Sequence, residues 1–67
     1  TPVVVEDDAV IGANATIVAG VRLHTGCVIA AGSVVTTDIP SQQVWAGNPA
    51  KFLMTREDYE KRRDENE

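Results

Sequence analysis

The sequence predicts an all-β solenoid, a parallel β-helix of two coils, followed by a C-terminal α-helix. Residues 5–40 form six consecutive hexapeptides without an insertion: VEDDAV, IGANAT, IVAGVR, LHTGCV, IAAGSV and VTTDIP. The first position of every hexapeptide is a branched aliphatic residue, and the fourth is always Asp, Asn or Gly. A repeat of six residues fits neither an amphipathic helix nor a long strand, and it is typical of a β-helix.

Each hexapeptide predicts one short strand and one corner. Side chains alternate between the two faces of a strand, so positions five and one point inward while positions six and two point outward. The corner residue at position four must often have a positive φ, which Gly, Asn and Asp tolerate best. Three hexapeptides complete one triangular coil, so residues of the second coil stack on those of the first. The stacked first-position pairs are expected to be Val5 with Leu23, Ile11 with Ile29, and Ile17 with Val35.

One outward face of this prism carries only apolar or small residues. They are Val10, Gly12, Val28 and Ala30. An outward apolar face usually marks a partner surface. A triangular prism with one such face is expected to form a closed ring of identical subunits.

The chain divides into three predicted segments: coils over residues 1–40, an exit strand and cap over 41–54, and a helix over 55–67. The second segment combines a short strand, a Gly-Asn-Pro turn and another apolar stretch, and Trp45, Phe52 and Leu53 are expected to close the bottom of the coils. The helix is predicted to begin after Thr55, a good N-cap residue with Asp58 three positions later.

Composition excludes several classes of partner. The formal net charge of −4 argues against nucleic acid and anionic membranes, and the apolar runs are too short for a membrane span. The single cysteine, Cys27, falls on an inward position, which fits a reducing compartment and excludes an intrachain disulfide. The 67 residues begin at Thr1 rather than Met, so we expect a part of a longer or processed protein.

The later part of the chain resembles a known family. The run IAAGSVVTTDIP from Ile29 to Pro40, followed by AGNPAK from Ala46 to Lys51, is similar to the C-terminal end of hexapeptide-repeat acyltransferases of the maltose, galactoside and capsular polysaccharide O-acetyltransferase type. The resemblance implies a left-handed parallel β-helix that assembles as a homotrimer and binds acetyl-CoA in a groove between subunits. It also implies a cytoplasmic enzyme that acetylates a hydroxyl or amine of a sugar or polysaccharide.

The same resemblance implies five contacts with acetyl-CoA. Ala13 and Ala31 match positions near the pantetheine arm, where small side chains let a thin chain lie close to the backbone. Thr36 and Thr37 match a Thr-Lys pair that contacts the coenzyme, with Thr37 in place of the lysine. Lys51 matches a basic residue near the nucleotide end, where its ammonium group offers a charge to phosphate.

Two expected functional groups are missing from the chain. A second basic residue of the family, three positions after Lys51, is replaced by Met54. In the maltose and galactoside type, the histidine that acts as general base lies upstream of Pro2, so no residue here is assigned as catalytic. His24, the one histidine, is predicted on a polar outward face one coil below Glu6. One His and an inward Cys27 are too few ligands for a metal site.

The sequence is also compatible with two other functions. The run IPSQQVWAGNPAKFL is also similar to the end of γ-carbonic-anhydrase-like proteins, which share the fold but need three histidines contributed across a subunit interface. A non-catalytic segment that only promotes trimer formation is the other alternative.

Overall fold

The structure of the protein is a computed structural model that describes residues 2–65. Six strands of two residues each follow the hexapeptides, and a hairpin and a helix complete the chain. The elements are β1 (Val4–Val5), β2 (Val10–Ile11), β3 (Thr16–Ile17), β4 (Arg22–Leu23), β5 (Val28–Ile29), β6 (Val34–Val35), β7 (Gln43–Ala46), β8 (Lys51–Thr55) and α1 (Arg56–Glu65).

The strands of the repeat pair in parallel at a constant separation of 18 residues. β1 pairs with β4, β2 with β5, and β3 with β6, and in each pair the predicted first-position residues are partners. Three hexapeptides therefore bring the chain back to the same ladder. The stacking expected from the sequence is confirmed in all three ladders.

Five of the six fourth positions turn the chain with a positive φ, as predicted, whereas Asp38 does not. Asp8 and Asn14 have φ of 62° and 61°, and the three corner glycines of the next hexapeptides also have positive φ. A corner in the left-handed region costs little for Gly, Asn and Asp, whereas other residues clash there with the following carbonyl. This backbone requirement explains why only these three residue types occupy the first five corners.

The regular register ends after Val35, which still pairs with Ile17. Ile39 pairs with Leu23, a separation of 16 residues instead of 18. Where the shortened coil lacks a backbone carbonyl, the Asp38 carboxylate Oδ1 accepts the N–H of Arg22 at 2.8 Å. The coil is therefore two residues shorter here than in the regular repeat, and the Asp38 side chain keeps this backbone donor paired.

The core lies inside the second coil, where the buried apolar residues are Val21, Leu23, Cys27, Ile29, Val35 and Ile39. Its centre is Leu23, which is fully buried between Val5 above and Ile39 below. In the first coil, by contrast, Val5 and Ile11 are 49% and 42% exposed, since β1, β2 and β3 are edge strands among the described residues.

The hairpin extends one ladder into a sheet of four strands, in the order β2-β5-β7-β8. β7 adds in parallel to β5, and β8 pairs antiparallel with β7. Trp45 packs against the core as predicted, but Phe52 and Leu53 are 53% and 55% exposed. The expectation that these two residues close the coils is therefore wrong, because β8 lies beside β7 at the sheet edge.

Helix α1 begins at a cap that the sequence predicts. The Thr55 hydroxyl accepts the N–H of Asp58 at 3.2 Å. Arg56, Tyr59 and Glu60, spaced three and four residues apart, are half-buried and form the side of α1 that faces the protein. The end of the predicted helix, residues 66 and 67, lies outside the described residues. Within residues 2–65, no helix has the length and apolar character to cross a bilayer.

The outward apolar face is only partly free. Val28 points away from the coil interior and pairs with Val44, yet the two side chains are 3% and 2% exposed. Helix α1 packs against β7 and β8 next to this part of the sheet. Val10 remains 42% exposed. The predicted partner surface is therefore reduced, because the chain itself covers its lower half.

Candidate functional site

All five residues that the resemblance implies for coenzyme binding lie exposed on the outside of the coils: Ala13, Ala31, Thr36, Thr37 and Lys51. A ligand that contacts them would therefore lie along the outer surface rather than in the interior.

Ala13 and Ala31 occupy equivalent corners of successive coils. The N–H of Gly32 donates to the carbonyl of Ala13 at 2.9 Å, and the N–H of Ala30 donates to the carbonyl of Trp45 at 3.1 Å. Small residues thus follow one another down a single edge of the coils. We call this surface the alanine edge, defined by Gly12, Ala13, Ala30, Ala31 and Ala46.

Gly12 sets the spacing of the coils at this edge. A Cβ atom on Gly12 would lie 2.4 Å from the backbone nitrogen of Ala31 and 2.7 Å from its Cα. Both atoms belong to the main chain, so neither can rotate away. The absence of a side chain at Gly12 allows the close approach of the two coils.

Lys51 joins the alanine edge at its lower end. It is the first residue of β8 and pairs with Ala46. The turn before it is fixed to β6, because Val34 donates its N–H to Gly47 at 2.9 Å and accepts the N–H of Ala50 at 2.7 Å. The structure therefore brings Ala13, Ala31 and Lys51 to one edge.

Thr36 and Thr37 follow strand β6 and lie away from the alanine edge. Val18 donates its N–H to Val35 at 3.0 Å, which places Thr36 below Val18 at the far end of β6. A strand advances about 3.3 Å per residue, so residues 33–36 separate Thr36 from the alanine edge by about 13 Å. Thr37 begins the next corner, and neither threonine belongs to the edge that contains Lys51.

A polar cluster surrounds Glu6 on a face other than the alanine edge. One carboxylate oxygen accepts the N–H and the hydroxyl of Thr25, both at 3.1 Å, and the other accepts Arg22 Nη1 at 3.1 Å. His24 Nδ1 lies 3.6 Å from the same oxygen that Thr25 contacts. The predicted proximity of His24 and Glu6 is confirmed, but the sequence did not indicate the contacts with Arg22 and Thr25.

The environment of Glu6 favours its ionised form. Desolvation raises the pKa of Glu6, but the hydrogen bonds from Thr25, the nearby His24 and the Arg22 guanidinium outweigh it and hold the pKa below its ordinary value. His24 thus lies next to a carboxylate on a face other than the alanine edge. This placement gives it no contact with Ala13, Ala31 or Lys51.

A family model described as the hexapeptide repeat of succinyl-transferase matches residues 2–37, more than half of the 67 residues. The chain belongs to this hexapeptide-repeat family. A curated relative, the 2,3,4,5-tetrahydropyridine-2,6-dicarboxylate N-acetyltransferase of Staphylococcus aureus (strain JH9), is 53% identical over 53 residues. These residues make up 79% of this chain and 22% of that protein, so the chain spans about a fifth of the relative's length.

Solved structures of hexapeptide-repeat acetyltransferases superpose well on the chain. One from Vibrio cholerae O1 biovar eltor, complexed with acetyl coenzyme A, is 42% identical with a TM-score of 0.80 and covers 82% of this chain and 30% of its own. A galactoside acetyltransferase in complex with coenzyme A is 37% identical with a TM-score of 0.82, and the match covers 90% of this chain and 30% of that protein. A maltose O-acetyltransferase from Clostridium difficile 630 is 40% identical with a TM-score of 0.79, and the match covers 82% of this chain and 29% of that protein. The resemblance to this family is confirmed.

Arg56 is a structural residue of this hexapeptide-repeat chain that sequence reasoning missed. Its Nη1 donates to the carbonyls of Asp8 at 3.1 Å and Gly26 at 2.9 Å, and its Nε donates to Glu60 at 3.0 Å. Asp8 and Gly26 occupy stacked corners of the two coils. Backbone carbonyls carry no side-chain signature, so no sequence pattern could have indicated these contacts.

Cys27 is expected to resist thiol reagents in the folded hexapeptide-repeat protein. Its side chain is fully buried, and burial raises the pKa of the Cys27 thiol, while the backbone and Arg56 lower it by less. Because the thiolate is the reactive form, we expect slow modification by dithionitrobenzoate at pH 8 and rapid modification in denaturant. The control is an exposed cysteine, Ser41→Cys in a Cys27→Ala background. Native Cys27 reacting as fast as this control would contradict the prediction.

Proposed function

We propose that this chain forms the coenzyme-binding end of an acetyltransferase that uses acetyl-CoA as the acetyl donor. The observation that supports this most directly is the similarity to structures complexed with acetyl-CoA or coenzyme A, which extends over 82% and 90% of the chain. The relatives reported above are acetyltransferases, which favours this function over a carbonic anhydrase or a purely structural segment. The proposal concerns the activity of the whole protein.

For the assembly, we propose a left-handed β-helix that forms a homotrimer, with acetyl-CoA bound in a groove between subunits. Three of the five proposed contacts share the alanine edge. Thr36 and Thr37 lie about 13 Å away at the far end of β6. We therefore propose that Thr36 and Thr37 contact a coenzyme that is bound to the alanine edge of a neighbouring subunit.

The proposed roles of the edge residues follow from their chemistry. Ala13 and Ala31 leave room for the pantetheine arm along the backbone of the two coils. Lys51, at the lower end of the edge, places an ammonium group where it can bind a phosphate of the nucleotide end. Since acetyl-CoA is a cytoplasmic metabolite and Cys27 is a free thiol, we also propose a cytoplasmic location.

The proposed reaction is a direct acetyl transfer. An acceptor hydroxyl or amine attacks the thioester carbonyl, a C–O or C–N bond forms, the C–S bond breaks, and coenzyme A leaves. A general base takes the proton of the acceptor. His24 contacts Glu6 on another face, so we assign this base to a residue outside the 67 and name no catalytic residue within them.

The acceptor is proposed to be a hydroxyl or amine of a sugar or polysaccharide. A maltose O-acetyltransferase and a galactoside acetyltransferase among the structural relatives support a saccharide, whereas the Staphylococcus aureus relative is named for another acceptor. Release of free thiol from acetyl-CoA, measured with a panel of sugars, amino sugars and cyclic dicarboxylic imines, tests this choice. Turnover with the imine alone would overturn the saccharide proposal.

Lys51→Ala is expected to weaken acetyl-CoA binding about tenfold, because one exposed charge contact with phosphate is worth about 1.4 kcal/mol. The measurement is isothermal titration calorimetry of the full-length protein with acetyl-CoA. Lys61→Ala is the control, because Lys61 is also an exposed lysine, on α1 beside Glu57. Equal affinities for Lys51→Ala and the unmodified protein would refute the role of Lys51. An unmodified protein that does not bind acetyl-CoA would refute the proposed function itself.

A further inference from the structure

We propose that Ser33 is a positioning residue for coenzyme binding, acting through Lys51. Its hydroxyl holds the turn that sets Lys51 beside the alanine edge. This inference rests on the proposed function, because it assigns Ser33 a role in the affinity for acetyl-CoA.

The chemistry at Ser33 is unusual for its position. Among residues 2–63, whose burial the structure describes, it is the only buried polar residue, with 1% of its surface exposed. The four preceding hexapeptides carry apolar or weakly polar residues at this inward position: Ala9, Ala15, Val21 and Cys27. Packing in the interior of the coils therefore does not require a hydroxyl group. The hydroxyl needs another explanation, and its hydrogen bond provides one.

The partner of Ser33 lies in the turn between β7 and β8. The Gly47 N–H donates to Ser33 Oγ at 3.1 Å. Gly47 has a φ of 103°, in the left-handed region that favours glycine, and the chain reverses here to begin β8. The bond fixes the first residue of the turn to the wall of the coils.

Two further hydrogen bonds complete the attachment of this turn. The residue after Ser33, Val34, binds the carbonyl of Gly47 and the N–H of Ala50, at 2.9 and 2.7 Å. Lys51 follows Ala50 directly, so the position of its backbone is set by this attachment. Ser33 is the only one of these partners that acts through a side chain, and a substitution can therefore remove its contribution alone.

A purely structural role for Ser33 predicts a different result from a positioning role. If the hydroxyl only satisfies a buried N–H, its loss lowers stability and affects acetyl-CoA binding independently of Lys51. If the hydroxyl acts through Lys51, its loss weakens binding only while Lys51 is present. A double-mutant cycle separates the two cases, because residues that act as a unit have non-additive effects.

The test is the dissociation constant for acetyl-CoA of the full-length protein and its variants Ser33→Ala, Lys51→Ala and the double variant. We expect Ser33→Ala to weaken binding about fivefold, in line with the loss of one hydrogen bond. The double variant is expected to bind within about twofold of Lys51→Ala alone, and Ser33→Thr, which keeps the hydroxyl, to restore most of the affinity. Cys27→Ala is the control, because Cys27 occupies the same inward position of the preceding hexapeptide and is fully buried.

Each outcome decides one claim. Fully additive effects, an unchanged affinity for Ser33→Ala, or an equal loss for Cys27→Ala would overturn the role of Ser33 while the proposed function stands. If the unmodified protein does not bind acetyl-CoA, the proposed function fails, and the role of Ser33 in binding fails with it. Faster amide hydrogen exchange at Gly47 in Ser33→Ala, with unchanged exchange in Cys27→Ala, would support the attachment of the turn independently of the ligand.

Discussion

Leu23→Ala is expected to lower the free energy of unfolding by about 3 kcal/mol. Leu23 is fully buried, with Val5 stacked above it and Ile39 below it. The cavity left by the substitution would lie between the side chains of Val5 and Ile39. Because the strand ladders hold these layers at a fixed spacing, the site cannot collapse to fill the cavity. Urea unfolding of the full-length protein, monitored by circular dichroism, measures the loss.

The matched control for this prediction is Leu53→Ala. Leu53 has the same side chain but is 55% exposed on β8. Its truncation removes little buried surface, and we expect a change below about 1 kcal/mol. Comparable losses for the two variants would show that Leu23 is not at the centre of the core.

Gly12→Ala is expected to destabilise the protein by about 2 kcal/mol and to weaken acetyl-CoA binding as well. The added Cβ atom would lie 2.4 Å from the backbone nitrogen of Ala31, so the two coils have to move apart at the alanine edge. Urea unfolding measures the first effect and calorimetry with acetyl-CoA the second. The effect on binding depends on the proposed function, whereas the effect on stability does not.

Gly32→Asn is the control, because it replaces a glycine at which an added Cβ atom would meet no close neighbour. No atom lies within 4 Å of a Cβ placed on Gly32, and its φ of 74° resembles the 61° of Asn14 in the corner above. Asparagine tolerates this region, so the loss is expected to stay below about 1 kcal/mol. A larger loss for Gly32→Asn than for Gly12→Ala would contradict the account of the alanine edge.

The sequence could predict those parts of the fold that depend on the hexapeptide period and on the residue type at each corner. Stacking of Val5 on Leu23 follows from the period, and the positive φ of Asn14 follows from its residue type. The shortened stretch between Val35 and Ile39 could not be predicted, because a side chain there, that of Asp38, replaces a backbone acceptor. The exposure of Phe52 was also missed, since an apolar residue of a hairpin points inward or outward according to the strand it pairs with.

The candidate site was accessible to sequence reasoning only in part. Ala13, Ala31 and Lys51 were predicted from a family resemblance, and their shared edge became visible only with the pairing of Ala46 and Lys51. No sequence pattern indicates the attachment of this turn to Ser33, because it joins residues 14 positions apart through one N–H group. Long-range contacts of this kind depend on how the hairpin folds back.

Arg56 has a consequence for how the protein unfolds. In an array of repeats, each unit contacts only its neighbours, and the ends open independently of the rest. The guanidinium of Arg56 instead binds the corners of the first and the second coil at once, across 48 and 30 residues of sequence. Separation of the first coil from the second breaks the hydrogen bond from Arg56 Nη1 to the Asp8 carbonyl. The contact therefore adds an interaction between distant parts of the sequence to those between adjacent coils, and it opposes opening of the first coil alone.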